Sequence, residues 1–284
     1  MQWNMGQVNS KNDIIQRQLA DLVLNKENLM EINFIDVAAV TPDTLLISET
    51  ESNRVHLLDS SEGEKLCEVE LEDQPGNMCL AYENTAAVSV GLDKIQMIQV
   101  KDKKLALCGV VTVGKYVLGI TSSSNYLVVS YSQRPWIEKV SMDGQSLEKF
   151  DNGRNPKHFK HPEFMCTVSD GSVFISDRDT KMITKLDANL KILQKFKSRL
   201  LKDPHGIISV TEDQILVCSQ QNHSIVMLQP STNTWSTLLG VEDQISCPYS
   251  LTYCPDQKKL FVALHQHCPD TIDTIREIKV YQIA

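Results

Sequence analysis

The chain has no apolar run approaching the roughly 18 residues needed to cross a bilayer. That excludes a helical membrane span. Its start, MQWNMGQVNSKND, has no apolar core of a secretory signal. No Cys-x-x-Cys pair occurs. The eight cysteines, at positions 67, 79, 108, 166, 218, 247, 254 and 268, are scattered, and Cys79, Cys166 and Cys218 lie inside apolar runs. Without a signal they read as reduced core residues of a cytoplasmic protein. There is no Gly-x-Ser-x-Gly, no P-loop and no G-x-G-x-x-G. The run Thr121–Asn125 is a polar turn, not a nucleophile elbow. His265-x-His267-Cys268, with Cys247 and Cys254 nearby, matches no standard zinc spacing. No cofactor is expected. Cationic excess is absent too: the formal net charge is −8, which argues against a generally nucleic-acid-binding surface.

What the chain does have is repetition. The clearest unit is Lys202–Pro230, where three short β-rich runs are split by polar turns. A small residue recurs late in the second run: Ser48, Ser89, Ser130, Ser176, Cys218 and Ala263. The steps between these anchors are 41, 41, 46, 42 and 45 residues. A period in the low forties holds four short strands with their turns, the size of one propeller blade. Pro75, Pro162, Pro204 and Pro248 each precede a first strand, where a missing N–H does little harm. Runs such as LLIS and YLVVS are continuously apolar, as expected of strands packed on both faces.

The reading is all-β: a single six-bladed propeller of four-stranded antiparallel blades, spanning 13–284 after a flexible 1–12. The expected blades are 34–74, 75–115, 116–160, 161–202, 203–246, and 247–284 plus 13–24. The sixth unit runs out after three strands. A ring must close to avoid a bare edge, and the segment 13–24 is the one unassigned piece able to supply the missing strand.

Units four and five resemble NHL repeats. Gly206, Asn222 and Ile225 match the family pattern in unit five, and Ser176, Asp177 and Ile183 match it in unit four; Asn53 with Val55 is a weaker match. The likeness covers about residues 34–284. It implies kinship with the carboxy-terminal propellers of tripartite-motif proteins, which bind protein targets and in some cases RNA stem-loops. A RING or B-box needs close Cys/His pairs, and this chain has none. The resemblance therefore implies a non-enzymatic adaptor for a protein partner or ubiquitination substrate, with no ligase activity of its own; the lack of a long apolar run adds the expectation of no membrane contact. Related propellers also include metal-dependent hydrolases and a zinc-dependent lyase with ligands around the central channel. His205 is placed at the channel mouth, but Asn77, Leu118 and Ser250 stand near the equivalent places. Asp36 is the acid of the first strands.

Charge placement suggests where a partner docks. Second-to-third turns and inter-blade links emerge on one face. Arg134 (with Trp136), Arg178 and Lys181 belong to such turns. Arg154, Lys157, His158, Lys160, Lys197, Arg199 and Lys202 belong to links, and His205 follows them. From Arg134 to His205 there are 14 Lys and Arg against 10 Asp and Glu, a local +4; the remainder carries 14 against 26. Two readings stand: a docking face for an acidic or phosphorylated protein segment, or for RNA, with Trp136, Phe159 or Phe164 stacking on bases or packing on a peptide; or simply solvated linkers. Phe159 and Phe164 read equally as core residues of a blade interface.

Overall fold

The computed structural model describes residues 34–123, 125–133, 135–150, 158–264 and 277–283, with the backbone of 18–19. It opens with the two-residue strand β1 (Gln18–Leu19). Five antiparallel four-stranded sheets follow in strict chain order. They are β2 (Phe34–Thr41), β3 (Thr44–Glu49), β4 (Arg54–Asp59) and β5 (Lys65–Glu70); β6 (Pro75–Tyr82), β7 (Thr85–Val90), β8 (Lys94–Lys101) and β9 (Lys104–Thr112); β10 (Val117–Ser123), β11 (Tyr126–Tyr131), β12 (Ile137–Ser141) and β13 (Ser146–Phe150); β14 (Pro162–Thr167), β15 (Val173–Asp177), β16 (Met182–Leu186) and β17 (Ile192–Phe196); β18 (Pro204–Thr211), β19 (Gln214–Ser219), β20 (Ser224–Gln229) and β21 (Thr234–Leu239). The last sheet contains β22 (Pro248–Cys254), β23 (Lys259–Leu264) and β24 (Glu277–Gln282) in the order β1-β24-β23-β22. Gln18 pairs with Gln282 and Leu19 with Tyr281. A strand from the chain's start thus completes the last blade, as ring closure requires.

The core is six wedges, one at each blade interface. Leu46 and Val55 meet Val88 and Ile98 between the first two blades; Phe261 and Ile278 meet Leu45 and Ile47 between the last and the first. Second strands sit in mid-blade, covered by neighbours on both faces. Every residue of β3, β7 and β15 is buried, which accounts for their unbroken apolar runs. Outer strands such as β5 and β13 are more exposed and carry charged side chains.

The anchor residues are small because they sit at the crowded inner ends of the blades: Ser48 and Ser89 bond to the first strand of their own blade, whereas Ser130 and Ser176 reach the next blade. Ser130 Oγ donates to the Pro162 carbonyl of the next blade at 2.5 Å and accepts the Gly119 N–H at 2.9 Å. Ser176 Oγ donates to the His205 carbonyl at 2.6 Å. Cys218 and Ala263 keep the size of the anchor and are fully buried.

One expectation about the cysteines fails. Cys67, Cys79, Cys108, Cys166, Cys218 and Cys254 are free, but Cys247 is disulfide-bonded. Cys247 lies in the turn before β22 with φ 44°, not inside an apolar strand, so the argument from strand burial did not reach it. Among the described residues, no helix is long and apolar enough to cross a membrane.

Candidate functional site

The links entering the fourth and fifth blades are held by the end of each blade's own second strand. Asp177 is fully buried; its Oδ2 accepts the Lys160 N–H at 2.6 Å, and its Oδ1 accepts the N–H groups of Asp179 and Thr180. In the next blade Ser219 Oγ accepts the Lys202 N–H at 2.8 Å, and the Asn222 amide donates to the Leu200 carbonyl at 2.8 Å. The polar residues of the repeat motif are therefore fasteners. They fix loop backbone and turn the link side chains outward.

Those side chains are Lys160, Lys197, Arg199 and Lys202, all exposed, joined by exposed Lys181 and half-buried Arg178 from the second-to-third turn. Arg178 lies 3.9 Å from Asp179. The other five cations have no ion pair among the described residues. Between them, the carboxyl of Asp203 is held below the usual range by the His205 ring 3.7 Å away, and further by Arg178 and Lys181. Arg134, Arg154 and Lys157 lie outside the described residues.

Of the two readings of the aromatics, the structure takes the core one. Phe159 is 0% exposed and packs edge-on against Phe150; Phe164 is buried and meets Tyr249 edge-on with centroids 5.4 Å apart. Both fill blade interfaces and offer no stacking platform. Trp136 is half-buried against Tyr131, centroids 4.4 Å apart, in the wedge between the second and third blades. His158 sits edge-on to Phe150. His205 is 3% exposed and so lies beneath the cationic surface, not on it.

The register of the first strands also needs correction. Pro75, Val117, Pro162, Pro204 and Pro248 pair with Val90, Tyr131, Asp177, Ser219 and Leu264 respectively, each followed by a bulge. The equivalents of His205 are therefore Gly76, Leu118, Glu163 and Tyr249. Asn77 and Ser250 belong one position further in. Sequence reasoning missed Glu163 for this reason, although Pro162-Glu163 and Pro204-His205 show the parallel.

Glu163, His205 and Tyr249 form one cluster across three blades. Tyr249 donates to Glu163 Oε1 at 2.9 Å, His161 Nε2 lies 3.4 Å from Oε2, and His205 Nδ1 lies 3.9 Å from Oε2. Burial alone would raise the Glu163 carboxyl, but the flanking histidines and Tyr249 outweigh it and hold it below its ordinary value. Burial, with the Glu163 charge, pushes the Tyr249 phenol up, so it remains a donor.

One layer inward, Asp36 joins three blades. Its Oδ1 accepts the Val37 N–H at 2.9 Å and the Ser250 hydroxyl, and its Oδ2 accepts the Met78 N–H at 2.6 Å. Asn77 donates to the Glu163 carbonyl at 3.1 Å. Burial pushes the Asp36 carboxyl up to about 6, against three hydrogen bonds that favour its ionised form. Among the described residues, no group of three His, Cys, Asp or Glu is arranged to hold a metal ion.

No family model matches the chain, and no curated protein matches it. Solved structures do. A streptogramin B lyase aligns with TM-score 0.65 and 14% identity, covering 95% of this chain and 87% of its own. A protein of unknown function from Bacteroides caccae aligns with TM-score 0.61 and 17% identity, covering 80% and 84%. A chain from a nidogen/laminin complex aligns with TM-score 0.60 and 13% identity, covering 77% and 84%. At these identities the likeness is one of fold: this chain is similar to six-bladed propellers whose named roles range from lyase to a partner in a protein complex.

Proposed function

We propose that the chain is a non-enzymatic recognition module. It binds a protein partner bearing an acidic or phosphorylated segment on the face formed by its inter-blade links. The observation that carries this reading is the set of five exposed cations, Lys160, Lys181, Lys197, Arg199 and Lys202, without ion pairs among the described residues. They stand on backbone fastened at Asp177 and Ser219. Fixed loops bind with little ordering cost, and unpaired surface cations are available to carboxylates or phosphates. The NHL-like motif residues add support by analogy to the target-binding end of tripartite-motif proteins, and to an adaptor role for ubiquitination substrates. The neighbour from the nidogen/laminin complex is consistent with a propeller in a protein complex. An RNA partner is less favoured than a protein because Phe159 and Phe164 are buried as wedge residues.

The test is charge reversal of Lys160, Lys197, Arg199 and Lys202 to Glu. The expected result is a loss of partner affinity of at least about tenfold, with the unfolding temperature unchanged, since exposed charges contribute little to stability. Unchanged affinity reduces these residues to solubilising linkers.

A further inference from the structure

Each sheet places its first strand at one edge. Six such edges, without ladder partners on their inner side, surround the axis and enclose a cavity of about 350 Å³. Its two ends differ. Toward the link face, Asp36, Asn77, Phe164 and Ser250 are buried, and the hydrogen bonds above tie Asp36 to Ser250 and Asn77 to the Glu163 carbonyl. Toward the opposite face, Leu80 is 46% exposed, and Ser122, Thr167, Ser209 and Tyr253 are partly exposed. The channel is thus a cup, floored beneath the link face and open among the first-to-second turns.

The cup is electrically one-sided. Of the described residues lining it, Asp36 is the single carboxylate, and no Lys, Arg or His joins it. Burial pushes the Cys79 thiol up to about 12 and Cys166 higher still, so both stay neutral. Asp36 has three hydrogen-bond donors but no ion pair among the described residues. A buried carboxylate without a counter-charge is costly, and a cation brought to it relieves that cost. An anionic ligand would find no cationic side chain. A divalent metal would find one carboxylate where it needs several oxygen ligands. The wall suits an organic cation: Tyr253 contributes a ring, and Met165, Ile207 and Leu251 contribute apolar surface.

We propose that this cup binds a small organic ammonium ion, with its charge at Asp36 and its substituents against the apolar wall. The cup opens on the face opposite the docking surface, and binding in it is independent of that surface.

The experiment is isothermal titration of the full chain with choline, tetramethylammonium and methylammonium chlorides, beside the neutral choline isostere 3,3-dimethylbutan-1-ol. At least one ammonium should bind with a dissociation constant below about 1 mM, with the isostere at least tenfold weaker. Asp36→Asn should abolish this preference. Because Asp36 also ties three blades together, a second variant leaves it in place: Ser209→Trp fills the open end and should remove binding at an unchanged unfolding temperature. The link-face charge reversal should leave ammonium binding as it is. Failure of all three ammonium ions to bind, equal binding of the isostere, or full retention in Ser209→Trp would each overturn the proposal.

Discussion

At the scale of single residues, the blades are joined at their inner ends by small polar groups with defined partners. Ser130 both donates to Pro162 and accepts from Gly119. Ser130→Ala leaves a buried N–H without its acceptor, and should cost roughly 1–3 kcal/mol in chemical denaturation. The same truncation is already natural at Ala263, where the blade interface is apolar. Asp36 makes a prediction of opposite sign to the usual carboxylate. Its folded value is raised from 3.8 to about 6, so the folded state holds the proton more tightly. Its contribution to stability is greatest below pH 4 and is lost as pH rises to about 6, by about 3 kcal/mol in all. The difference in unfolding free energy between wild type and Asp36→Asn, measured from pH 4 to 7, should show that slope and flatten above pH 6. A difference independent of pH would mean that the carboxyl is not desolvated.

Elements were more legible than contacts. The period of the small anchor marks every second strand, because one position per blade must fit between neighbouring first strands whatever else changes. Strand closure was legible from arithmetic alone, since a sixth unit with three strands leaves one edge bare. Glu163 and Tyr249 were not legible as partners of His205. Their places just after Pro162 and Pro248 match that of His205 after Pro204, but whether those side chains meet depends on how neighbouring blades pack, which local composition does not set. Phe159 and Phe164 were readable either way, as link-face aromatics beside basic residues or as interface core, and wedge packing decides for the core. The closure itself is testable. Removing residues 1–24 strips β1 from β24 and exposes its edge. The truncated chain should unfold at a lower temperature and scatter more light on heating, as an unprotected edge strand allows. An unfolding temperature equal to that of the full chain would show that two pairs of residues in β1 add nothing to closure.

At the scale of the whole molecule, the charge is unevenly distributed. A chain with formal charge −8 concentrates +4 between Arg134 and His205, and six of the described cations of that stretch, Lys160, Arg178, Lys181, Lys197, Arg199 and Lys202, belong to links and second-to-third turns on one face. The described acids Asp143, Asp170 and Asp187 lie in turns on the other. Long-range attraction to an anionic partner follows from this asymmetry and weakens with ionic strength. Binding through the link face should therefore lose most of its affinity between low and high salt, whereas ammonium binding in the cup should change little. The most direct measurement of the central claim is a paired affinity purification, with protein and crosslinked RNA both read out. One bait is the wild-type chain; the other carries Glu at Lys160, Lys197, Arg199 and Lys202, matched to it in unfolding temperature. The account predicts a defined set of proteins retained by the wild type and lost from the variant. The same proteins on both baits, or RNA alone lost from the variant, would contradict it.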